Sequence, residues 1–119
     1  MKQGVQRLLM KICNREPMDT ISIEELHQRM EAGEKPNLVD VREPSENAEF
    51  NIGGILCPLG RILSMDTEEL EAMKDQEVIL YCRSGNRSGQ ATLMLETMGF
   101  THVRNLTGGM LAWREKYPG

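Results

Sequence analysis

Cys82 opens the run Cys82-Arg83-Ser84-Gly85-Asn86-Arg87-Ser88, in which one thiol is followed by two guanidiniums, a glycine and two hydroxyls. The apolar segment Val78-Ile79-Leu80-Tyr81 leads into it, and a helix-forming stretch from Ser88 to Met98, stopped by Gly99, follows it. A thiol between the end of a strand and the start of a helix sits where unpaired N–H groups and partial positive charge collect. Free cysteine titrates near about 8.5, and such surroundings draw it down to between about 3.5 and 7.5. Gly85 admits the positive φ that curls successive N–H groups into an anion-binding nest. Arg83 and Arg87 add fixed positive charge to a chain that is otherwise acidic. The expected species is a thiolate at neutral pH, and the expected chemistry is nucleophilic attack with a negative atom held beside the sulfur.

The other chemistry-bearing residues read differently. Cys13 falls on the apolar face of an N-terminal helix and Cys57 in a short strand, and both read as small buried hydrophobes. Three cysteines without close spacing give no disulfide framework, and His27 and His102 are too few to complete a zinc site, so no metal is expected. At least one free thiol suits a reducing cytoplasm. A second polar cluster, Asp40-Val41-Arg42-Glu43, ends another apolar run. Arg42 either contacts an anionic donor or pairs with Asp40, Glu43 or Glu46. Arg87 is open to the same two roles, touching substrate or pinning the loop to a carboxylate, whereas Arg83 is expected to point outward. Both histidines read as surface residues, Trp113 as a core anchor, and Leu93, Met94 and Met98 as core.

These residues must be positioned by a single domain's worth of chain, 119 residues with a formal charge of −4. The acidic balance gives no support to nucleic-acid binding. No apolar run approaches the roughly 20 residues of a membrane span, and the first 13 residues carry no secretory signal pattern. Val5, Leu8, Leu9, Ile12 and Cys13 space out as an amphipathic helix, so residues 1–18 are expected to form an extension and residues 19–119 the domain. Within the domain, Ser22 and Glu25 predict a capping box for a helix to about Met30, stopped by Gly33. Residues 37–41 and 55–57 read as short strands, Pro44 to Phe50 as a helical turn, and Asp66 with Glu69 as a second capping box for a helix to about Lys74. Residues 77–81 form the strongest strand and 103–106 another, after which Thr107-Gly108-Gly109 turns into a last helix to Lys116. Strands alternating with helices predict an α/β sandwich with a mainly parallel sheet, whose ligands bind beyond the carboxyl ends of the strands.

Three motifs in this order, Asp40-Val41-Arg42-Glu43-Pro44, the loop from Cys82 to Ala91, and Asn105-Leu106-Thr107-Gly108-Gly109 with Trp113, resemble a single-domain rhodanese across about Ile21 to Tyr117. The resemblance implies a three-layer α/β/α sandwich around a five-stranded, mainly parallel sheet. It also implies a sulfurtransferase without cofactor, carrying sulfane sulfur as a persulfide on Cys82. Arg83, Ser84, Gly85, Asn86, Arg87 and Ser88 would cradle that sulfur, with Asp40, Arg42 and Glu43 in support. Thiosulfate or a persulfide would be the donor, and a thiophilic small molecule or a sulfur-carrier protein the acceptor. The carrier follows from the segment 51–59, which resembles rhodanese-like domains fused to E1-type adenylating enzymes; that variant usually has an aromatic residue where this chain has Asn47. Phosphatases and arsenate reductases of the same fold are the rival enzymes, and the phosphatases resemble a Cys-x5-Arg pattern. Here only four residues separate Cys82 from Arg87, a tighter loop suited to one sulfur atom. A non-catalytic interaction or redox-sensing module is the remaining alternative.

Overall fold

Along β4 (Glu77–Tyr81) the side chains alternate between two cores, Val78 and Leu80 to one face of the sheet, Ile79 and Tyr81 to the other. Both faces are apolar because both are covered by helices, as a parallel sheet requires. The computed structural model describes residues 18–118; the expected N-terminal helix, with Cys13, lies outside them. Five parallel strands run in the order β1-β5-β4-β2-β3, where β1 is Thr20–Ile21, β2 Asn37–Asp40, β3 Ile55–Leu56 and β5 His102–Leu106.

One core joins Val39, Val41, Val78, Leu80 and Cys82 to Ile62 of α3 (Leu59–Leu63), Leu70 of a 3₁₀ helix (Glu68–Met73), and Ala91 and Leu95 of α4 (Asn86–Thr97). The opposite core joins Leu38, Ile79, Tyr81 and Leu106 to Ile23 and Leu26 of α1 (Ile23–Glu31) and to Met110 and Trp113 of α5 (Gly109–Lys116). The remaining helix, α2 (Pro44–Glu49), follows β2 with Pro44 in its first turn. The α/β sandwich and its parallel sheet are therefore as expected.

Several local expectations need correction. The edge strand β1 was not anticipated, being only two residues long and paired solely to β5. Asp66 and Glu69 do not form a capping box. Both carboxylates turn to Arg61 instead, and the following residues wind as a 3₁₀ rather than an α-helix. The preceding α3 was likewise unforeseen. Ser22 does cap α1, accepting from the Glu25 N–H at 3.0 Å. Leu93 is 52% exposed rather than core: it lies two residues, about 200° of helix, from both Ala91 and Leu95. His27 is half-buried, its ring stacked on Tyr117 at 3.7 Å and edge-on to Trp113, which is the core anchor expected.

Candidate functional site

β4 delivers Cys82 to the carboxyl end of the sheet, and α4 begins four residues later. Between them Gly85 takes φ 105°, a left-handed conformation that turns the chain back over the sulfur. The Gly85 N–H then donates to Cys82 Sγ at 3.1 Å, and the Ser88 N–H donates to it at 3.4 Å. Ser88 Oγ stands 3.3 Å from the same sulfur. Burial works against ionisation here, since Cys82 is only 1% exposed. Hydrogen bonds from the Ser88 hydroxyl and from the Ser88, Gly85 and Ser84 N–H groups outweigh it, and the thiol titrates below its ordinary value. Cys57 shows the contrast: buried without such donors, its thiol is pushed up to about 11 by desolvation, with the Glu69 charge adding to the rise. Two equally hidden cysteines thus differ in chemistry because only one is aimed at N–H groups.

The loop's two arginines do not act alike. Arg83 is exposed, as expected, and has no carboxylate partner among the described residues. Arg87 donates from Nη1 to Glu46 Oε1 at 2.8 Å and from Nη2 to Oε2 at 2.9 Å, so it ties the loop to α2. The expectation that both arginines would raise the local potential is corrected accordingly: the charge of Arg87 is largely cancelled. Ser84 and Asn86 are exposed on the loop's outer side.

Asp40, Arg42 and Glu43 follow β2, the neighbour of β4. The Asp40 carboxylate is fully buried and accepts four hydrogen bonds. Arg42 gives three, from N, Nε and Nη2 at 2.9–3.0 Å, and Asn47 Nδ2 gives the fourth at 2.9 Å. Arg42 also donates to the Phe50 carbonyl, so it buttresses the turn after β2 and reaches across to the end of α2. Of the carboxylates open to Arg42, Asp40 is the one it pairs with, and Arg42 also lines the cleft beside the loop. Asn47, where the resembled variant has an aromatic residue, contributes its amide to this polar network. Glu43 is exposed and its N–H is capped by Glu46 Oε1 at 3.0 Å, a local role in starting α2.

Sequence reasoning missed two residues. Glu46 appeared only as one of three partners for Arg42, yet it is the anchor of Arg87. Asn105 was noted only as part of a motif, yet its side chain is buried in the loop's base. The available signal was a polar residue on the same strand face as Val103, next to the apolar Leu106.

Beside the loop, a cleft of about 440 Å³ is lined by Arg42, Arg83 and Arg114, by Glu46 and Glu49, and by Met110 and Leu111. Among the described residues no group of three or more His, Cys, Asp or Glu side chains is arranged to hold a metal ion, and no helix is long and apolar enough to cross a membrane.

A cysteine at the end of a central parallel strand, enclosed by a short loop that opens a helix, defines a class of sulfur- or phosphate-handling α/β domains. Within that class the sequence matches the model of the rhodanese-like domain over residues 22–116, and the chain belongs to that family. It is 38% identical over 96 residues to a sulfurtransferase of Allochromatium vinosum, covering 81% of this chain and 88% of that one. A putative sulfurtransferase of Bacillus subtilis, YtwF, is 40% identical over 95 residues, 78% of this chain and 87% of the relative. Other curated relatives are longer, and the chain spans 38%, 55% and 25% of three of them. Among solved structures, the human single-domain sulfurtransferase TSTD1 superposes with a TM-score of 0.70 at 28% identity, over 84% of this chain and 98% of that one.

Proposed function

We propose that the protein is a sulfurtransferase that moves a sulfane sulfur from thiosulfate or a persulfide to a thiophilic acceptor by way of a Cys82 persulfide. The observation that carries this reading is the convergence of the Gly85 and Ser88 N–H groups on Cys82 Sγ. In the first step the Cys82 thiolate attacks the outer sulfur of the donor. The new S–S bond forms as the donor's own bond to that sulfur breaks, and the leaving group (sulfite from thiosulfate, a thiolate from a persulfide) departs with the electron pair. Cys82 is left as Cys–S–S⁻. Preorganised loop N–H groups stabilise the negative sulfur without rearrangement, because Gly85 and α4 already fix them. In the second step the acceptor's nucleophilic atom attacks the outer sulfur and Cys82 leaves as the thiolate. The cycle is two-step covalent catalysis and predicts ping-pong kinetics.

Arg83, unpaired at the mouth of the cleft, draws in anionic donors. The names of the sulfurtransferase relatives and the enclosed geometry favour sulfur transfer over phosphate chemistry. The pairing of Arg87 with Glu46 does so too, since it leaves Arg87 occupied rather than free to clasp a phosphate. A sulfur-carrier protein is the acceptor suggested by segment 51–59, and the cytoplasm is the compartment that keeps Cys82 reduced. Incubation with thiosulfate or an organic persulfide, followed by mass spectrometry, tests the proposal. The expected product is one added sulfur atom on the Cys82 peptide, discharged by cyanide as thiocyanate. No adduct with any sulfane donor would make the domain a non-catalytic module.

A further inference from the structure

Asn105 lies on β5, and alternation along that strand puts it on the same face of the sheet as Val103 and therefore as Cys82. The register pairs it with Leu80, two residues before Cys82, so topology brings the amide under the cysteine loop. Its Nδ2 donates to the Gly85 carbonyl at 3.1 Å. That carbonyl can only accept, so the amide orientation is fixed and Oδ1 must face the other way. It faces Ser88, whose Oγ makes a short hydrogen bond to Asn105 Oδ1 and also lies 3.3 Å from Cys82 Sγ. Gly85 and Gly89 wall the amide in: a Cβ added at Gly89 would come within 3.5 Å of Nδ2. Asn105 is 6% exposed and Ser88 is fully buried, so both side chains are shielded from bulk solvent.

The Ser88 hydroxyl has one proton and two acceptors. We propose that Asn105 is a positioning residue which competes with the Cys82 sulfur for the Ser88 hydroxyl proton, so that the sulfur receives only part of the hydroxyl's support and the loop N–H groups supply the rest. While Cys82 is a thiol, the hydroxyl points at Asn105 Oδ1. When the sulfur ionises, turning the proton toward it strips a buried acceptor of its partner, a cost that opposes the turn. No covalent bond changes; the proton moves by rotation about the Cβ–Oγ bond of Ser88. The benefit is kinetic. A thiolate held by fewer donors stays more basic and therefore more nucleophilic, while remaining ionised through the loop amides. This role rests on the sulfur-transfer reading for its purpose, but the competition itself is a property of the resting site.

A double-mutant cycle read through the pH dependence of Cys82 alkylation tests it, using the full-length chain. With Asn105 present, Ser88→Ala is expected to raise the midpoint by the share of the hydroxyl's support that reaches the sulfur. In an Asn105→Leu background the freed hydroxyl serves the sulfur alone, and adding Ser88→Ala is expected to raise the midpoint by about one unit more than it does with Asn105 in place. The change in Gly85 support is common to both legs and cancels. Circular dichroism confirms folding, and Asn105→Ala replaces Asn105→Leu should the latter not fold. Equal shifts in the two backgrounds, or a smaller shift without Asn105, would overturn the competition. Persulfide formation by the unmutated protein is measured in parallel. If that fails while the cycle shows the coupling, the sulfur-transfer reading falls and the proton competition stands.

Discussion

Arg87 and Glu46, 41 positions apart in the chain, are joined by a two-point ion pair with distances of 2.8 and 2.9 Å. One partner begins α4 and the other sits in the first turn of α2, so the pair welds the cysteine loop to the segment that follows β2. The same carboxylate cancels a positive charge close to the sulfur. Glu46→Gln is therefore expected to lower the pH midpoint of Cys82 alkylation. The cost in stability should be about 0.5–1 kcal/mol, because both side chains are roughly a third exposed and solvent screens them. Alkylation profiles with urea denaturation measure both; a raised midpoint would mean that the pair's mechanical role outweighs its charge.

Acid should reveal the same contact. Arg87 holds the Glu46 carboxyl down to about 2, against about 4.3 for an unfolded chain. A carboxyl depressed by folding contributes stability that is complete above its unfolded pKa and is lost as the pH falls toward the folded one. Thermal midpoints of the native protein should thus decline between about pH 4.3 and pH 2 more steeply than those of Glu46→Gln. Parallel declines would assign acid sensitivity to other carboxylates.

The Asp40 and Arg42 pair is the most deeply buried charge pair in the described structure, with side-chain exposures of 0% and 7%. Removing one member strands the other without water. Asp40→Ala is expected to cost about 3–5 kcal/mol in urea denaturation, and Arg42→Ala a comparable amount. A loss below about 1 kcal/mol for either would show that the network is not what holds the turn after β2.

Gly109 lies against the backbone of the cysteine loop. A Cβ there would come within 2.5 Å of the Cys82 carbonyl oxygen and 2.7 Å of Arg83, and φ is 55°. The neighbouring N–H groups of Met110 and Leu111 bond the Cys82 and Arg83 carbonyls at 2.9 Å, so the loop cannot retreat without losing them. Gly109→Ala is expected to displace the Cys82–Arg83 peptide and to lower sulfur transfer by roughly tenfold or more, since misplacement by about 1 Å costs on the order of a hundredfold. A steady-state assay on folded variant, showing unchanged turnover, would contradict this.

Much of this site was legible in the sequence because its chemistry is local. Cys82, Gly85 and Ser88 are close in the chain, and a strand followed by a helix dictates where their N–H groups point. The position of Asp40 and Arg42 at the end of an apolar run was legible too, whereas the pairing of β2 with β4 that sets them near the loop is a property of the sheet order. What could not be read were choices among long-range partners. Nothing in the sequence ranks Glu46 above Glu43 for Arg87, because both lie in one short segment and the selection is made by the tertiary structure, which brings Glu46 to Arg87. Asn105 escaped notice because its partners are 17 and 20 positions away, so nothing beside it in the chain marks its role. The failure at Asp66 and Glu69 has a different origin. A capping box competes there with a guanidinium, and Arg61 offers those carboxylates stronger, charge-assisted hydrogen bonds.

Sulfur transfer at this loop depends on Cys82 being ionised where Cys57 is not. The ultraviolet absorbance of the thiolate, followed across the neutral range as the difference between the native protein and Cys82→Ser, tests this directly. The expected titration has a midpoint below the ordinary cysteine value of about 8.5, with Cys57 silent until the fold is lost. A midpoint at or above that value would contradict the loop's role in holding a charged sulfur.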